Sequence, residues 1–183
     1  MASDKYLDAC ATQAERPLEV VAAALREPHS LSLSGQTLSE GTITCLVEGV
    51  RAMEGLSDVE LSDLQLSGSS MAALTHALSA FTTVTHLSIS GCALGNDGVR
   101  HLSSMLRNST LASLVLQSNA IGNAGVSALA EVLATNTGLR TLDLQRNHVK
   151  CQGAIALAAA CQVREADLRP PSSKSTCSAG RTR

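Results

Sequence analysis

Aromatic side chains are almost absent from this sequence. Its 183 residues include no Trp, and Tyr6 and Phe81 are its single tyrosine and its single phenylalanine. Hydrophobic residues nevertheless make up 44% of the chain. The core must therefore be filled by Leu, Val, Ile and Ala. Such a core suits repeated thin layers better than one large centre, and the chain is long enough for one domain.

A strong excess of charge is also lacking. The formal net charge is −2, which gives no electrostatic reason to expect binding to nucleic acid or to an anionic membrane. No apolar run reaches the roughly 18–20 residues that cross a bilayer. Residues 1–17 contain acidic side chains and no apolar segment, which is unlike a secretory signal. We therefore expect a cytoplasmic protein whose partners are neither nucleic acids nor membranes.

The cysteines form no recognisable metal or redox motif. There are six of them, scattered along the chain without a C-x-x-C pair: Cys10, Cys45, Cys92, Cys151, Cys161 and Cys177. This pattern favours reduced thiols that fill small apolar positions, and it predicts no metal site. A disulfide framework is the alternative.

No pattern in the sequence indicates catalysis or a cofactor. The phosphate-binding patterns G-x-x-x-x-G-K-[ST] and G-x-G-x-x-G are absent, and no serine lies in a G-x-S-x-G turn. The histidines are isolated from one another: His29, His76, His86, His101 and His148. We therefore expect a non-enzymatic protein without a cofactor.

An internal repeat is the strongest signal. Residues 111–138 alternate like a strand in their first half and have aliphatic residues at helical spacing in their second half. Units beginning at Val84, Leu111 and Leu139 match almost position for position. Paired aliphatic residues predict six strands, at Leu31/Leu33, Leu64/Leu66, Leu87/Ile89, Leu114/Leu116, Leu142/Leu144 and Ala166/Leu168.

These units resemble the leucine-rich repeat, and their spacing of roughly 28 residues is similar to the ribonuclease-inhibitor-like subclass. The resemblance implies an α/β solenoid in the shape of a short horseshoe arc, with parallel strands on the concave face and helices on the convex face. It also implies that Asn119 and Asn147 bond loop backbone groups. Cys92 replaces this asparagine in the preceding unit, and Gln36 and Ser69 replace it in the two earlier ones.

The pattern divides the chain into three parts. Residues 1–27 are predicted to be a helical cap, since the first repeat has no neighbour to cover its apolar edge. Residues 28–169 hold about five repeats and a partial strand. This alignment makes the second repeat short between Met71 and Leu74 and makes the first repeat long. Residues 170–183 are rich in Ser, Pro and Arg and are predicted to be disordered. This ending suggests a truncated or alternative form of a longer repeat protein.

The alternation of the strands predicts which side chains face outward from the sheet. The first strand offers only Ser30, Ser32 and Ser34, and charge increases toward the C-terminal end, where Arg140 and Arg164 lie nearby. The residues that we predict to bind a partner are Asp63, Gln65, His86, Val115, Gln117, Thr141, Asp143, Gln145, Arg146, Glu165, Asp167 and Arg169.

A non-enzymatic module or scaffold for protein–protein interaction, monomeric on its own, is the function that these observations favour. One alternative is regulation of an enzyme, as in the Ran GTPase-activating proteins of this subclass. Another is a cytoskeletal role, because the N-terminal segment is similar to the start of centrosome- and cilium-associated leucine-rich-repeat proteins. The residues that carry this similarity are Tyr6, Leu7, Cys10, Glu15, Pro17, Glu19 and Val21.

Overall fold

A computed structural model describes residues 2–27, 29–65, 70, 72–74, 76, 83–107 and 109–168, with the backbone alone for residues 163–168. Two helices come first, α1 (Ala2–Gln13) and α2 (Glu19–Ala24). The strands are β1 (Ser30–Ser34), β2 (Asp58–Ser62), β3 (His86–Ser90), β4 (Ser113–Val115) and β5 (Thr141–Asp143). The later helices are α3 (Glu40–Arg51), α4 (Gly95–Leu106), α5 (Asn123–Leu133) and α6 (Cys151–Leu168). Between β2 and β3, described residues 70, 72–74 and 76 are helical.

The strands form one parallel sheet in the order β1-β2-β3-β4-β5. One row of aliphatic residues crosses it in register, from Leu31 through Val59, Leu87 and Leu114 to Leu142. The first four are at most 2% exposed, and the helices cover this side, with α4 packed on α5 and α5 on α6. The predicted α/β leucine-rich-repeat solenoid is therefore confirmed.

The second strand differs from the prediction. Val59 and Leu61 take the inward positions that the sequence analysis gave to Leu64 and Leu66. With this register, residues at the same position in neighbouring repeats are 28 residues apart, as Ser57 and Thr85 are, which share a hydrogen bond. The second repeat is therefore not shortened and the first is not lengthened. Leu64, 2% exposed, falls in the row of Cys92 and Asn119. Leu66 and Ser69 lie outside the described residues.

The predicted partial strand at Ala166 and Leu168 is also wrong, because residues 163–168 continue helix α6. After α5, Asn136 ends the helix: its Oδ1 accepts hydrogen bonds from Gly138 N and Leu139 N, and its Nδ2 donates to Leu106 O. One repeat later, Arg164 and Ala166 stand where Asn136 and Gly138 would be. Helix-forming residues have replaced the turn, so the helix goes on. The predicted disordered tail lies outside the described residues.

The N-terminal helices cover the first repeat, with α1 packed against α3. Tyr6 is fully buried, and its hydroxyl accepts a 2.9 Å hydrogen bond from the backbone N–H of Leu18. Cys10 and Cys45 are fully buried as well. Burial raises the pKa of Tyr6 to about 12 and, together with a hydrogen bond to the Cys10 thiol, raises the pKa of Cys45 to about 11. The side chains of Tyr6 and Cys45 are therefore neutral at physiological pH.

Two asparagines, the buried Asn119 and the half-buried Asn147, each connect their repeat to the one before it. The Oδ1 atom of Asn119 accepts from Cys92 N at 3.0 Å and Leu94 N at 3.5 Å, while its Nδ2 donates to Ile89 O and Gln117 O. Asn147 makes the same contacts in the next repeat, where its Oδ1 atom accepts hydrogen bonds from the backbone N–H groups of Asn119 and Ile121. We call this row, with Cys92, the loop ladder.

Cys92 keeps the hydrogen-bond donor of the asparagine that it replaces in the loop ladder, because its thiol takes the place of the Nδ2 group. Its thiol donates to Ser90 O at 3.3 Å and Leu61 O at 3.6 Å, the same pattern as the Nδ2 atom of Asn119. Burial raises the pKa of Cys92, and a hydrogen bond from the Leu64 backbone N–H opposes this. At neutral pH the thiol therefore keeps the proton that it donates.

A second asparagine row, which the sequence analysis missed, lies where the helices begin. The Oδ1 atom of Asn96 accepts from Gly122 N and Gly125 N in the next repeat, at 2.9 and 3.0 Å. Asn123 does the same for Lys150 N and Gly153 N. We call Asn96 and Asn123 the helix-start ladder. It satisfies N–H groups of the first helical turn, which have no partner within their own helix.

The last repeat is the least covered. Among the described residues, no strand pairs with the outer edge of β5, and Leu142, Leu144, Val149 and Leu157 are half-buried. Cys151 is exposed and occupies the position of Asn123 in the helix-start ladder.

Replacing Asn119 with Ala should destabilise the protein by roughly 3 kcal/mol, because buried N–H and C=O groups lose their partners. Urea denaturation followed by circular dichroism measures this. Asn147→Ala is the matched comparison and should cost less, since Asn147 is only half-buried. Equal stability of Asn119→Ala and wild type would contradict the loop ladder's role.

Gly125→Ala should destabilise the protein by about 1–3 kcal/mol despite its better helix propensity. The added Cβ would lie 2.8 Å from Asn96 Oδ1 and 3.0 Å from Ile121 Cγ2, and so would displace the helix-start ladder. Gly41→Ala is the control, because the three atoms nearest to its added Cβ all belong to the flexible side chain of Glu15, which can move away. Thermal unfolding should leave Gly41→Ala at or above wild type; an unchanged Gly125→Ala would be the contrary result.

The raised pKa values predict a loss of stability at alkaline pH. The pKa of Cys45 is near 9 in the unfolded chain and about 11 in the folded one, so the folded state holds the thiol proton more tightly. This contribution to stability is fully present below pH 9 and is lost as the pH rises toward 11. Urea midpoints measured from pH 8 to 11 should fall. The decrease should be shallower in Cys45→Ala, and an identical pH profile would refute the assignment.

Candidate functional site

The face of the sheet that points away from the helices, which we call the concave face, is not used in packing the repeats. Its side chains form rows that cross the strands in register. The row at the strand starts contains Ser30, Asp58, His86, Ser113 and Thr141. The middle row contains Ser32, Glu60, Ser88, Val115 and Asp143. Neighbouring members of a row are about 4.8 Å apart, which is the strand spacing.

Strand β2 carries two acidic residues on this face, Asp58 and Glu60, and β3 places His86 next to Asp58. His86 Nδ1 lies 3.3 Å from Asp58 Oδ1 and 2.9 Å from the Thr85 hydroxyl oxygen. Asp58 also accepts a hydrogen bond from the Ser57 hydroxyl. Glu60 is exposed, and within the described part of the chain its carboxylate has no hydrogen bond or ion pair. Glu60 is therefore an anion available to a ligand.

A shallow depression of about 350 Å³ lies in the same region. It spans β1 to β4, and its lining includes Ser30, Ser32, Asp58, Glu60, His86 and Val115. Val115 is half-buried and supplies an apolar side chain to this depression, two strands away from the carboxylates on β2. This arrangement can accept a basic or polar side chain together with a small apolar group.

The C-terminal part of the face is held by its own hydrogen bonds. Asp143 Oδ2 accepts a 2.6 Å bond from Gln117 Nε2, and its Oδ1 accepts a 2.8 Å bond from the Gln145 backbone. Both carboxylate oxygens of Asp143 are thus occupied, unlike those of Glu60. A ligand has to compete with Gln117 for Asp143.

The structure brings several predicted site residues to this face. His86, Val115, Thr141 and Asp143 lie on its strands, and Gln117 and Gln145 are the second residues after the ends of β4 and β5. Arg146 comes next, in a left-handed backbone conformation with φ +56°. The contribution of these residues to binding remains a prediction.

Two predicted residues, Asp63 and Gln65, are not on the strand. Both follow β2, because the strand uses Val59 and Leu61 as its inward pair. Asp63 has φ +53° and occupies the same repeat position as Arg146, at the carboxyl edge of the sheet. Gln65 forms an isolated bridge with Thr37. The earlier assignment of these two to the concave strands was wrong.

The last predicted residues are also elsewhere. Glu165 and Asp167 belong to helix α6 and not to a sixth strand, since helix α6 does not end where α5 does. Arg169 lies outside the described residues. The charged C-terminal end that the sequence predicted for the sheet therefore consists of β5 and its flanking residues Arg140 and Arg146.

Asp58 and Glu60 are the functional candidates that sequence reasoning missed. Their signal was available, because D-V-E-L-S alternates as S-L-S-L-S does, and its valine is 28 residues from Leu31 and Leu87. The stronger apolar pair Leu64/Leu66 obscured it. Acidic charge is therefore present near the start of the array as well as at its end.

The described part of the chain contains neither a candidate membrane span nor a candidate metal site. No helix there is both long enough and apolar enough to cross a membrane. In the same residues, no three or more His, Cys, Asp or Glu side chains are grouped so that they could hold a metal ion.

The protein comparisons agree with this geometry. The sequence profile described as "Leucine Rich repeat" matches residues 82–103, 107–130 and 135–158. Leucine-rich repeat-containing protein 45 from Gallus gallus is 32% identical over 85% of this chain and 24% of its own length. Protein phosphatase 1 regulatory subunit 37 homolog from Caenorhabditis briggsae is 32% identical over 62% of this chain and 13% of its own length.

A centrosomal protein is also similar. Centrosomal protein of 78 kDa from Mus musculus is 25% identical over 73% of this chain and 20% of its own length. The chain thus spans about a quarter or less of the curated relatives named here. The matched profile, these relatives and the parallel sheet in 28-residue steps agree: the chain is a leucine-rich-repeat protein.

Proposed function

We propose that this chain is a non-enzymatic protein–protein interaction module, or scaffold, that binds a protein partner on its concave face. The observation that carries the proposal is the five-stranded face itself. Its outward side chains are polar apart from Val115 and are exposed or half-buried, and Glu60 and Val115 line a depression of about 350 Å³. The side chains that pack the repeats point to the other face, so ligand contacts can vary without loss of the fold.

The binding residues that we propose combine the predicted set with the acidic pair on β2. Asp58 and Glu60 join His86, Val115, Gln117, Thr141, Asp143, Gln145 and Arg146. No aromatic residue belongs to this set, and aromatic side chains usually dominate strong interfaces. Affinity should therefore be moderate, and it should depend on charge and on salt concentration.

Regulation of an enzyme is the second form of this proposal. The similarity to a relative named as a regulatory subunit of protein phosphatase 1 favours it. In this form the concave face would hold an enzyme or its substrate, and the chemistry would remain with the partner. Small-GTPase activation is a further example of the same class, and a GTP hydrolysis assay with and without this chain distinguishes it.

A cytoplasmic location with attachment to the centrosome is the cellular setting that we propose. Support comes from the similarity to Centrosomal protein of 78 kDa, which extends over 73% of this chain. Imaging a tagged chain together with a centrosome marker in ciliated cells tests this setting, and a uniformly diffuse signal would count against it.

Charge reversal on the concave face should abolish partner capture. We expect Glu60→Arg, and separately Asp143→Arg, to reduce the recovery of partners by roughly tenfold or more, because a like charge at an interface costs several kcal/mol. Quantitative mass spectrometry after affinity capture from lysate measures the recovery of each partner relative to wild type.

The matched control is Glu131→Arg, which makes the same charge change at an exposed position on helix α5. Its partner set should equal that of wild type, and thermal unfolding verifies that all variants are folded. Partners lost in Glu131→Arg but retained in Glu60→Arg would move the interface to the helices and overturn the proposal.

A further inference from the structure

The last repeat presents the surface that every earlier repeat uses to hold its neighbour. We call it the end face: the outer edge of β5, the side of α6 that points away from α5, and four half-buried aliphatic residues, Leu142, Leu144, Val149 and Leu157. One repeat earlier, the residues at the same four positions are 0% exposed: Leu114, Leu116, Ile121 and Leu129. We propose that two copies of this chain associate through their end faces about a two-fold axis, which pairs β5 with β5 and α6 with α6.

Helix α5 shows which side of α6 a neighbour would cover. A Cβ added at Gly153 of α6 would lie 3.4 Å from Val126 Cβ, so Val126 faces α6. Ala130 and Leu133 lie on the same side of α5, because they follow at helical spacing. These three side chains are at most 6% exposed. Their counterparts 28 residues later are all exposed: Ala154, Ala158 and Cys161.

The backbone of β5 determines how a second copy can pair with it. Leu116 N donates to Asp143 O, and Thr141 N donates to Ala112 O. The backbone groups of Thr141 and Asp143 are thus directed toward β4, and those of Leu142, between them, toward the outer edge. Among the described residues, no strand uses that edge. In antiparallel strands, two Leu142 residues that lie opposite each other can exchange both of their N–H···O=C bonds.

Charge and backbone conformation select Leu142 as the centre of this pair. A pair centred on Arg140 would place two guanidinium groups opposite each other, and opposed like charges destabilise a sheet. A pair centred two residues after Leu142 would bring Arg146 into the strand, but its φ of +56° is left-handed. With Leu142 at the centre, Thr141 lies opposite the other copy's Asp143, and no like charges meet.

The outer side of α6 has the symmetry that contact with an identical helix requires. Ala154 and Ala158 lie two residues before and after Ala156, and the exposed Cys151 and Cys161 lie five residues before and after it. In antiparallel helices centred at Ala156, Ala154 therefore packs against the other copy's Ala158, and Cys151 lies opposite the other copy's Cys161. Small side chains permit the shorter helix–helix distances, near 8 Å.

One axis can relate both elements. From Leu142 to Gln145 the chain advances about 10 Å toward the carboxyl edge of the sheet. Helix α6 starts at that edge, beside the start of α5, and returns by the same distance within six or seven residues, at about 1.5 Å per residue. Ala156 is therefore roughly level with Leu142, on the helix side of the sheet.

The size of the end face is sufficient for a specific but reversible contact. Its length is that of α6, whose 18 residues span about 27 Å. Its width, across one helix layer and one sheet layer, is roughly 20 Å. Two such faces bury about 1,000 Å² in total, which is the lower limit for a specific interface. We therefore expect a dimer that dissociates at micromolar concentrations.

The dimer would leave both concave faces open, because the contact uses only the edge of the sheet and one side of α6. Two copies would then present two partner sites on one particle, which increases the apparent affinity for a partner with two matching sites. The association replaces the monomer that the sequence led us to expect. It does not depend on the proposed partner binding, so either proposal can fail alone.

Sedimentation equilibrium of the full chain tests the inference. The apparent mass should rise from 18.9 kDa toward twice that value across the micromolar range. Ala158→Arg should raise the dissociation constant by roughly tenfold or more, because two guanidinium groups would be buried without partners. A chain that stays monomeric at high micromolar concentration overturns the proposal.

Ala159→Arg is the matched control. It makes the same substitution at the next residue, which is also exposed but occupies the position of the exposed Glu131 of α5, outside the contact between α5 and α6. Its dissociation constant should equal that of wild type, and thermal unfolding verifies that both variants are folded. A dimer weakened by Ala159→Arg and unaffected by Ala158→Arg would place the contact on the convex side and refute the proposal.

Cross-linking of the native cysteines tests the two-fold geometry in a Cys177→Ser background. A short bismaleimide should link Cys151 of one copy to Cys161 of the other, while Cys10, Cys45 and Cys92 are buried. Within one helix Cys151 and Cys161 are about 15 Å apart, beyond the reach of the reagent. Either Cys151→Ser or Cys161→Ser should remove the linked dimer. A linked dimer that survives one of these substitutions contradicts the antiparallel arrangement.

Hydrogen exchange identifies what covers the strand edge. The amide protons of Leu142 and Leu144 should exchange more slowly as the concentration rises through the dissociation constant, and Ala158→Arg should abolish this change. Protection that is already complete in the monomer would mean that another part of the same chain covers the edge, which would overturn the proposal and leave partner binding on the concave face untouched.

Discussion

Hydrogen bonding of loop backbone groups is the constraint on which the structure depends. A strand that is followed by a loop and a helix leaves N–H groups inside the stack, away from water, and an unpaired buried N–H is costly. Asn119 and Asn147 satisfy these groups in the preceding repeat, and Asn96 and Asn123 satisfy them in the following one. Each repeat therefore depends on both neighbours, in addition to the contacts of its aliphatic core.

The same constraint explains how far the sequence could be read. Leu87, Leu114 and Leu142 were placed in adjacent strands correctly, because three nearly identical copies repeat both the aliphatic spacing and the loop asparagine. In the second repeat Leu64 stands in the place of that asparagine, so the sequence lacks the residue that would show where strand β2 ends. Two aliphatic pairs then competed for the strand, and only the pairing with β1 and β3 selects Val59 and Leu61.

Other features depended on partners that a single stretch of sequence does not identify. Asn96 and Asn123 resembled ordinary helix-start residues, since the N–H groups they bond are 26–30 positions away. Residues 163–168 alternate weakly, yet a strand there requires a helix stop such as Asn136, and Arg164 stands in its place. For the site, alternation predicted the outward residues of β3, β4 and β5 and failed where the register of β2 was misread.

The exposed Cys151 has a consequence for building on this array. A thiol cannot accept two backbone N–H groups as the amide oxygen of Asn123 does. A designer who appends another unit after α6 would leave the first turn of the new helix without acceptors on that side. An asparagine at position 151, together with a helix stop in place of Arg164, would allow further repeats to be added after α6 and to pack against it.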